Sequence, residues 1–262
     1  SERTVSFVPA GETAERIVFM KIAACFAKDR EFCRSVSEKM AQAQQLFDDQ
    51  AVETFAFLEG CVSRVSGTER FSQIPLVRKT DTGNLLLMTG VPLDLHGSLD
   101  VRLDQVLQAD YHHAARILKD LDGAFAAVFW DASNRKLVIV TDAMGLQPLY
   151  IFRHQDLLLL ATEIKAFPAS SKVEIQMDPA GWGAFISLGH HIGRDTQLAG
   201  VKRVDPATVM IYDSASGNVT SERYWSWPET QPDLTLERVN TEAMKEAMIQ
   251  EIRAYTQHSQ KG

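Results

Sequence analysis

The sequence predicts an α+β fold in which antiparallel strands lie between helical layers, and three observations carry that expectation. Residues 123–162 contain four short apolar runs, AFAAVFWD, LVIVTDA, PLYIF and LLLLATE, separated by the turn segments ASNRK, MGLQ and RHQD. Runs so closely spaced fit an antiparallel meander. Several of them are apolar at consecutive positions, so the sheet needs cover on both faces. Segments with helical apolar spacing stand before and after them to supply that cover.

The elements follow in order. Residues 15–26, ERIVFMKIAACF, are rich in branched and aromatic side chains and bounded by Gly11 and AKDR, which predicts a strand. Asp29 then precedes Phe32, Val36, Met40 and Ala43, leading to Leu46 and Phe47, which predicts a helix over about 30–49. Residues 66–84 carry the turn chemistry of a loop around a short strand. In DVRLDQVLQADYHHAARILKDL, Val101, Leu103, Val106 and Leu107, then Ala114, Ile117, Leu118 and Leu121, keep helical spacing. The four runs of the meander come next.

After the meander, DPAGWGAFISLG predicts a helix with Asp178 as N-cap and Pro179 at its first position. A strand, ATVMIYD, ends in a turn at SASGN. Beyond the proline-containing linker YWSWPETQPD, an amphipathic helix over 236–256 places Leu236, Val239, Ala243, Met244, Ala247, Met248 and Ile252 on one side. That unmatched apolar face predicts a further element to pack on. The domains are therefore expected at 1–230, with 231–262 as linker and helix leading to the next one.

The chain of 262 residues carries 27 basic and 34 acidic side chains, a formal charge of -7, with no dense basic cluster. That balance argues against nucleic acid and anionic membrane as partners and favours a small molecule or a protein. No apolar run reaches the roughly 18 residues of a bilayer span, and SERTVSFVPAGE lacks the basic start and apolar middle of a signal peptide, so a cytoplasmic location is expected. Cys25, Cys33 and Cys61 are widely spaced and read as buried thiols, with no metal site. The adjacent pairs His112–His113 and His190–His191 cannot each face one site and read as solvated.

Five separated blocks then carry a resemblance: LDGAFAAVFWD, TDAMGLQPLY, LATEIKAF, DPAGWGAFISLGHHIGRDTQLAGVKRVDPATVMIYD, and YW at 224–225. In order and spacing, over about 118–227, they resemble the amidotransferase domain of asparagine synthetases. The resemblance implies the N-terminal-nucleophile (Ntn) hydrolase fold, a four-layer αββα sandwich of two antiparallel sheets between helical layers. It implies glutamine hydrolysis to glutamate and ammonia. A C-terminal synthetase domain, in the same or a separate chain, would then use ATP and Mg to adenylate a carboxylate, with no cofactor in this chain. A homodimer and a bound glutamine or other small molecule are further implied possibilities. In the blocks themselves, Gly123, Gly145 and Pro148 read as turn or close-approach residues, and Asp142 as a carboxylate bonding backbone amides at a strand end. Glu163 and Lys165 are expected on a surface that meets the synthetase domain.

The chemistry of the resemblance is incomplete. The family's nucleophile is an N-terminal cysteine whose own α-amine is the general base. Here TVSFV aligns with the family's first strand, which puts Thr4 near the nucleophile position behind three further residues. Ser1 is the alternative nucleophile if it carries a free amine in the natural protein. The arginine-bearing segment that clamps the substrate carboxylate has no counterpart around Arg64, Arg70 or Arg78. The family's oxyanion segment aligns with Thr89, Gly90 and Val91, of which Gly90 keeps a backbone N–H. The expectation is a degenerate glutaminase-like domain resembling those of beta-lactam synthetases and lasso-peptide macrolactam cyclases. An active amidotransferase or a stand-alone binding module are the alternatives.

Overall fold

The computed structural model describes residues 20–46, 50–65, 77–95, 97–171, 173–191, 193–227 and 241–259. Two six-stranded antiparallel sheets face each other. The first has the order β10-β8-β9-β1-β3-β2, built from β1 (Lys21–Phe26), β2 (Val52–Ala56), β3 (Gly60–Val65), β8 (Tyr150–His154), β9 (Leu157–Ala161) and β10 (Val201–Arg203). The second has the order β12-β11-β7-β6-β5-β4, built from β4 (Val77–Lys79), β5 (Leu85–Leu93), β6 (Asp122–Asp131), β7 (Lys136–Thr141), β11 (Thr208–Asp213) and β12 (Val219–Arg223).

Alternation along β1 explains why both faces of the first sheet are apolar. Ile22, Ala24 and Phe26 enter the core between the sheets, where Phe26 packs on Trp130 and Tyr212. Ala23 and Cys25 point the other way and meet Cys33, Val36 and Met40 of α1 (Arg30–Gln42) together with Phe167 of the short α4 (Ala166–Ala169). A period of two thus serves two cores with one strand. On the far side, α2 (Leu99–Gln108) and α3 (Tyr111–Lys119) cover the second sheet with Leu103, Val106, Ala114 and Leu118. The layers run helix, sheet, sheet, helix, as the sequence predicts.

The structure refines several expectations. The helical region after Asp100 is two helices, because the Asp110 carboxylate accepts the His113 N–H at 2.8 Å and starts a new helix there. The predicted meander is two hairpins in different sheets: β6 pairs with β7 in one and β8 with β9 in the other, so the chain crosses between sheets at 142–149. The helix expected to reach 49 ends at Gln42, and the strand expected from 15 begins at Lys21 among the described residues. The predicted α5 runs Pro179–Leu188, with the Asp178 carboxylate accepting the Ala180 N–H at 2.9 Å and Gly189 closing it at φ +75°. The last helix, α6, runs Thr241–Ser259 and its described side chains are all exposed, including Met244, Met248 and Ile252. Leu236 and Val239 lie outside the described residues.

Candidate functional site

The crossing between the sheets is built on one carboxylate. Asp142 is 1% exposed, and its two oxygens accept four backbone N–H groups: Met144 and Leu146 at 3.0 Å each on Oδ1, Phe125 at 3.2 Å and Gln147 at 3.1 Å on Oδ2. A charged acceptor suits this role, since four donors converge where no strand partner can take them. The Asp142 carbonyl also accepts the N–H groups of Gly145 and Ala207, which ties the turn to the start of β11. Gly145 sits at φ +63°, and an added Cβ would lie 2.9 Å from Pro206. Arg203 donates to the Gly145 carbonyl at 2.5 Å. The sequence expectation for Asp142 and Gly145 thus has a physical basis in these contacts.

The segment expected to hold an oxyanion remnant lies against this turn. Thr89 is buried in β5 opposite Ala126, and Gly90 stands opposite Phe125. Gly90 adopts φ +95°, and a Cβ there would lie 2.1 Å from the Ala124 carbonyl oxygen and 2.6 Å from Gln147 Cγ. Only glycine fits. Val91, the neighbouring position, is half-buried and offers no polar side chain.

A polar cluster caps the start of β1. The Ile22 N–H donates to Thr162 Oγ1 at 3.1 Å, Thr162 Oγ1 donates to Gln44 Oε1 at 2.7 Å, and Gln44 Nε2 donates to the Ile22 carbonyl at 3.1 Å. This buried ring is satisfied within itself and fixes β1 against β9 and the end of α1. Next to it, Glu163 bridges Lys21 at 2.7 Å and Lys165 at 3.0 Å. Burial alone would raise the Glu163 carboxyl; the two ammonium groups overcome it and hold the pKa below the ordinary glutamate value. Tyr150 lies nearby, its phenol pushed up by burial and by Glu163 and pulled the other way by Arg203. The Glu163 carboxylate is engaged by both ammonium groups, and Lys165 is the more exposed of the two.

The remaining candidates are dispersed. Arg64 donates to Glu53 at 2.8 Å, and Arg78 pairs with Asp100 and Asp104, while Arg70 lies outside the described residues. Ser1 and Thr4 also lie outside them. Cys25 and Cys61 are fully buried under α1, against Cys33 on the inner face of that helix. Among the described residues, no three His, Cys, Asp or Glu side chains are grouped to hold a metal ion, and no helix is long and apolar enough to cross a membrane. His191, read as solvated, instead stacks on Phe185 at 5.2 Å, with its Nδ1 buried. The Thr162–Gln44–Ile22 ring had no sequence signal, because its members lie 22 to 140 residues apart.

Comparison with known proteins agrees with this architecture. Residues 103–225 match the glutamine amidotransferase domain family. The amidase chry2 of Gibberella zeae is 29% identical over 149 residues, 54% of this chain and 21% of that protein. Asparagine synthetase [glutamine-hydrolyzing] 3 of Bacillus subtilis is 27% identical over 107 residues, 40% of this chain and 17% of that protein. The chain therefore spans about a fifth of the length of these relatives. The glutamine phosphoribosylpyrophosphate amidotransferase of B. subtilis, solved with ADP and GMP, has a TM-score of 0.50 at 14% identity, over 79% of this chain and 50% of that one. That likeness carries the fold alone. Taken with the sandwich of two antiparallel sheets, these matches show a chain of Ntn-hydrolase fold whose residues 103–225 are similar to a glutamine amidotransferase domain and, in part, to asparagine synthetase.

Proposed function

We propose that this domain is a degenerate glutaminase-like half of an asparagine-synthetase-type, amide-forming enzyme and does not hydrolyse glutamine efficiently. The observation that carries the reading is the start of the first strand among the described residues. Glutamine hydrolysis of this class needs a thiol or hydroxyl and a free α-amine on one residue at that point. β1 begins with Lys21 after Met20, and the Lys21 ammonium is held by Glu163. If TVSFV is the equivalent strand instead, Thr4 stands there with its nitrogen in a peptide bond. Neither strand starts with a cysteine, and the three cysteines present are internal and buried.

The binding groups support the same conclusion. Arg64 and Arg78 are committed to carboxylates of this domain, so neither is free to clamp a substrate carboxylate. Val91 offers no side-chain donor where the oxyanion segment aligns. Loss of one oxyanion donor costs about a hundredfold to a thousandfold in rate, and loss of the nucleophile removes the covalent route. The surviving role is to brace an ATP- and Mg-dependent synthetase domain, in the same or a separate chain, that joins a carboxylate to an amine. Residues 1–230 form the glutaminase-like domain in this reading, and 231–262 lead toward the synthetase domain. Glu163 and Lys165 lie on the surface offered to that partner, with Lys165 the more accessible.

The test is release of ammonia and glutamate from excess glutamine by this chain, beside a Ser1→Ala variant. Absence of turnover in both is the expected result. Turnover that vanishes in Ser1→Ala would overthrow the reading and make Ser1 the nucleophile of an active amidotransferase.

A further inference from the structure

A trough beside α3 is used by none of the chemistry above. Its origin is a mismatch of widths. From β4 to β12 the second sheet spans five strand spacings, about 24 Å. Two helices of about 10 Å each cover only about 20 Å of it. α2 packs over β5 and α3 over β6 and β7, so among the described residues no helix covers the outer face of β11 and β12 next to α3. The space left there is about 430 Å³, within the range of small-molecule sites.

The residues lining it fall into three groups. The His112 imidazole, Arg116 and Lys119, at i, i+4 and i+7, form one wall along a face of α3. Val209 and Ile211 of β11 form an apolar floor, Val209 being 3% exposed. Thr220, Ser221 and Glu222 of the edge strand β12 form the opposite wall. Lys119 is partly neutralised by Glu222 at 3.7 Å. Arg116 has no ion pair or hydrogen bond among the described residues, so its guanidinium is available to a ligand.

We propose that this trough binds a small organic monocarboxylate: the carboxylate on the fork of Arg116, an apolar body on Val209 and Ile211, and Thr220 as a hydroxyl partner. A single free guanidinium matches one planar carboxylate through two parallel hydrogen bonds. The Glu222 carboxylate across the trough repels a second negative charge, which favours a monoanion over a phosphate dianion. The floor gives the apolar body a surface that an inorganic ion cannot use. This site stands independently of whether glutamine is hydrolysed.

Benzoate is the probe, titrated into the full chain and followed by amide chemical shifts in two-dimensional NMR. Weak binding, about millimolar for so small a ligand, is expected, with shifts concentrated at 112–119 and 209–222. Arg116→Gln should weaken it about tenfold or more, and benzyl alcohol and inorganic phosphate should each bind at least that much more weakly than benzoate. Arg116 is exposed, so the variant keeps the fold and the wild-type shifts elsewhere. Absent shifts, shifts located away from the trough, equal affinity in Arg116→Gln, or equal binding of benzyl alcohol or phosphate would each overturn the proposal.

Discussion

Replacing Asp142 should unfold the crossing between the sheets at a cost that can be worked from its four amide partners. Bonds to a carboxylate contribute about 1.5–3 kcal/mol each, and a buried donor left without an acceptor costs about 1–3 kcal/mol. Met144 and Leu146, on Oδ1, have exposed side chains at 49% and 63%, so water can reach their amides once the carboxylate is gone. Phe125 is fully buried and Gln147 is packed near Gly90, so their amides, on Oδ2, stay orphaned. Two orphaned donors give a loss of about 4 kcal/mol for Asp142→Ala. Asp142→Asn keeps two acceptor contacts and turns an NH₂ group toward the other two donors, for about 2–3 kcal/mol. Urea unfolding followed by the fluorescence of Trp130, itself 3% exposed, is a suitable assay. With a slope of about 2 kcal/mol per molar, Asp142→Ala should lower the midpoint by about 2 M. Asp156→Ala, which removes only an exposed pair with Lys28, is the control and should leave the midpoint unchanged. An Asp142→Ala midpoint equal to the control's would refute the idea that one carboxylate holds the crossing.

Gly90→Ala meets both a positive φ and a backbone oxygen 2.1 Å from the new Cβ, so a loss of at least about 3 kcal/mol is expected; Gly217→Ala, at φ +72° with nothing within 4 Å, should lose about 1 kcal/mol in the same urea assay. Because the Glu163 pKa is held below its unfolded value, its contribution to stability is present above the ordinary glutamate range and is lost as pH falls through the lower folded value. Carboxyl NMR should therefore report a Glu163 midpoint below the ordinary glutamate value, and Glu163→Gln should flatten the acid limb of the stability curve; a midpoint at or above the ordinary value would contradict the two-lysine pairing. Burial pushes the Cys61 thiol up to about 11, and Cys25 is raised by its hydrogen bond to Cys33 and by burial. The same bond lowers Cys33, but all three thiols are fully buried, so they should resist a disulfide reagent at neutral pH until the protein unfolds, and rapid labelling of the native chain would contradict their burial.

The fold class was legible because it rests on local patterns. Apolar runs with turn residues between them marked β6 to β9, and Asp178 followed by Pro179 marked the start of α5. The five separated blocks marked the amidotransferase relationship, since order and spacing along the chain are properties of sequence alone. Other elements gave weaker signals. β10 is only three residues long, and the break between α2 and α3 lies inside a continuous helical pattern, where a single capping aspartate decides it.

Tertiary structure decided what depends on residues far apart in the chain. Periodicity cannot tell whether two neighbouring hairpins share a sheet; the Asp142 turn sends β8 and β9 into the other one. The committed guanidinium of Arg78, the Lys21–Glu163–Lys165 cluster and the open trough beside α3 all arise from pairings set by sheet order. The sequence by itself determined which elements form and which reactive groups are present, because propensity and residue identity are local. Only the packed structure determined which of those groups meet, because contact is a property of the sheets' arrangement in space.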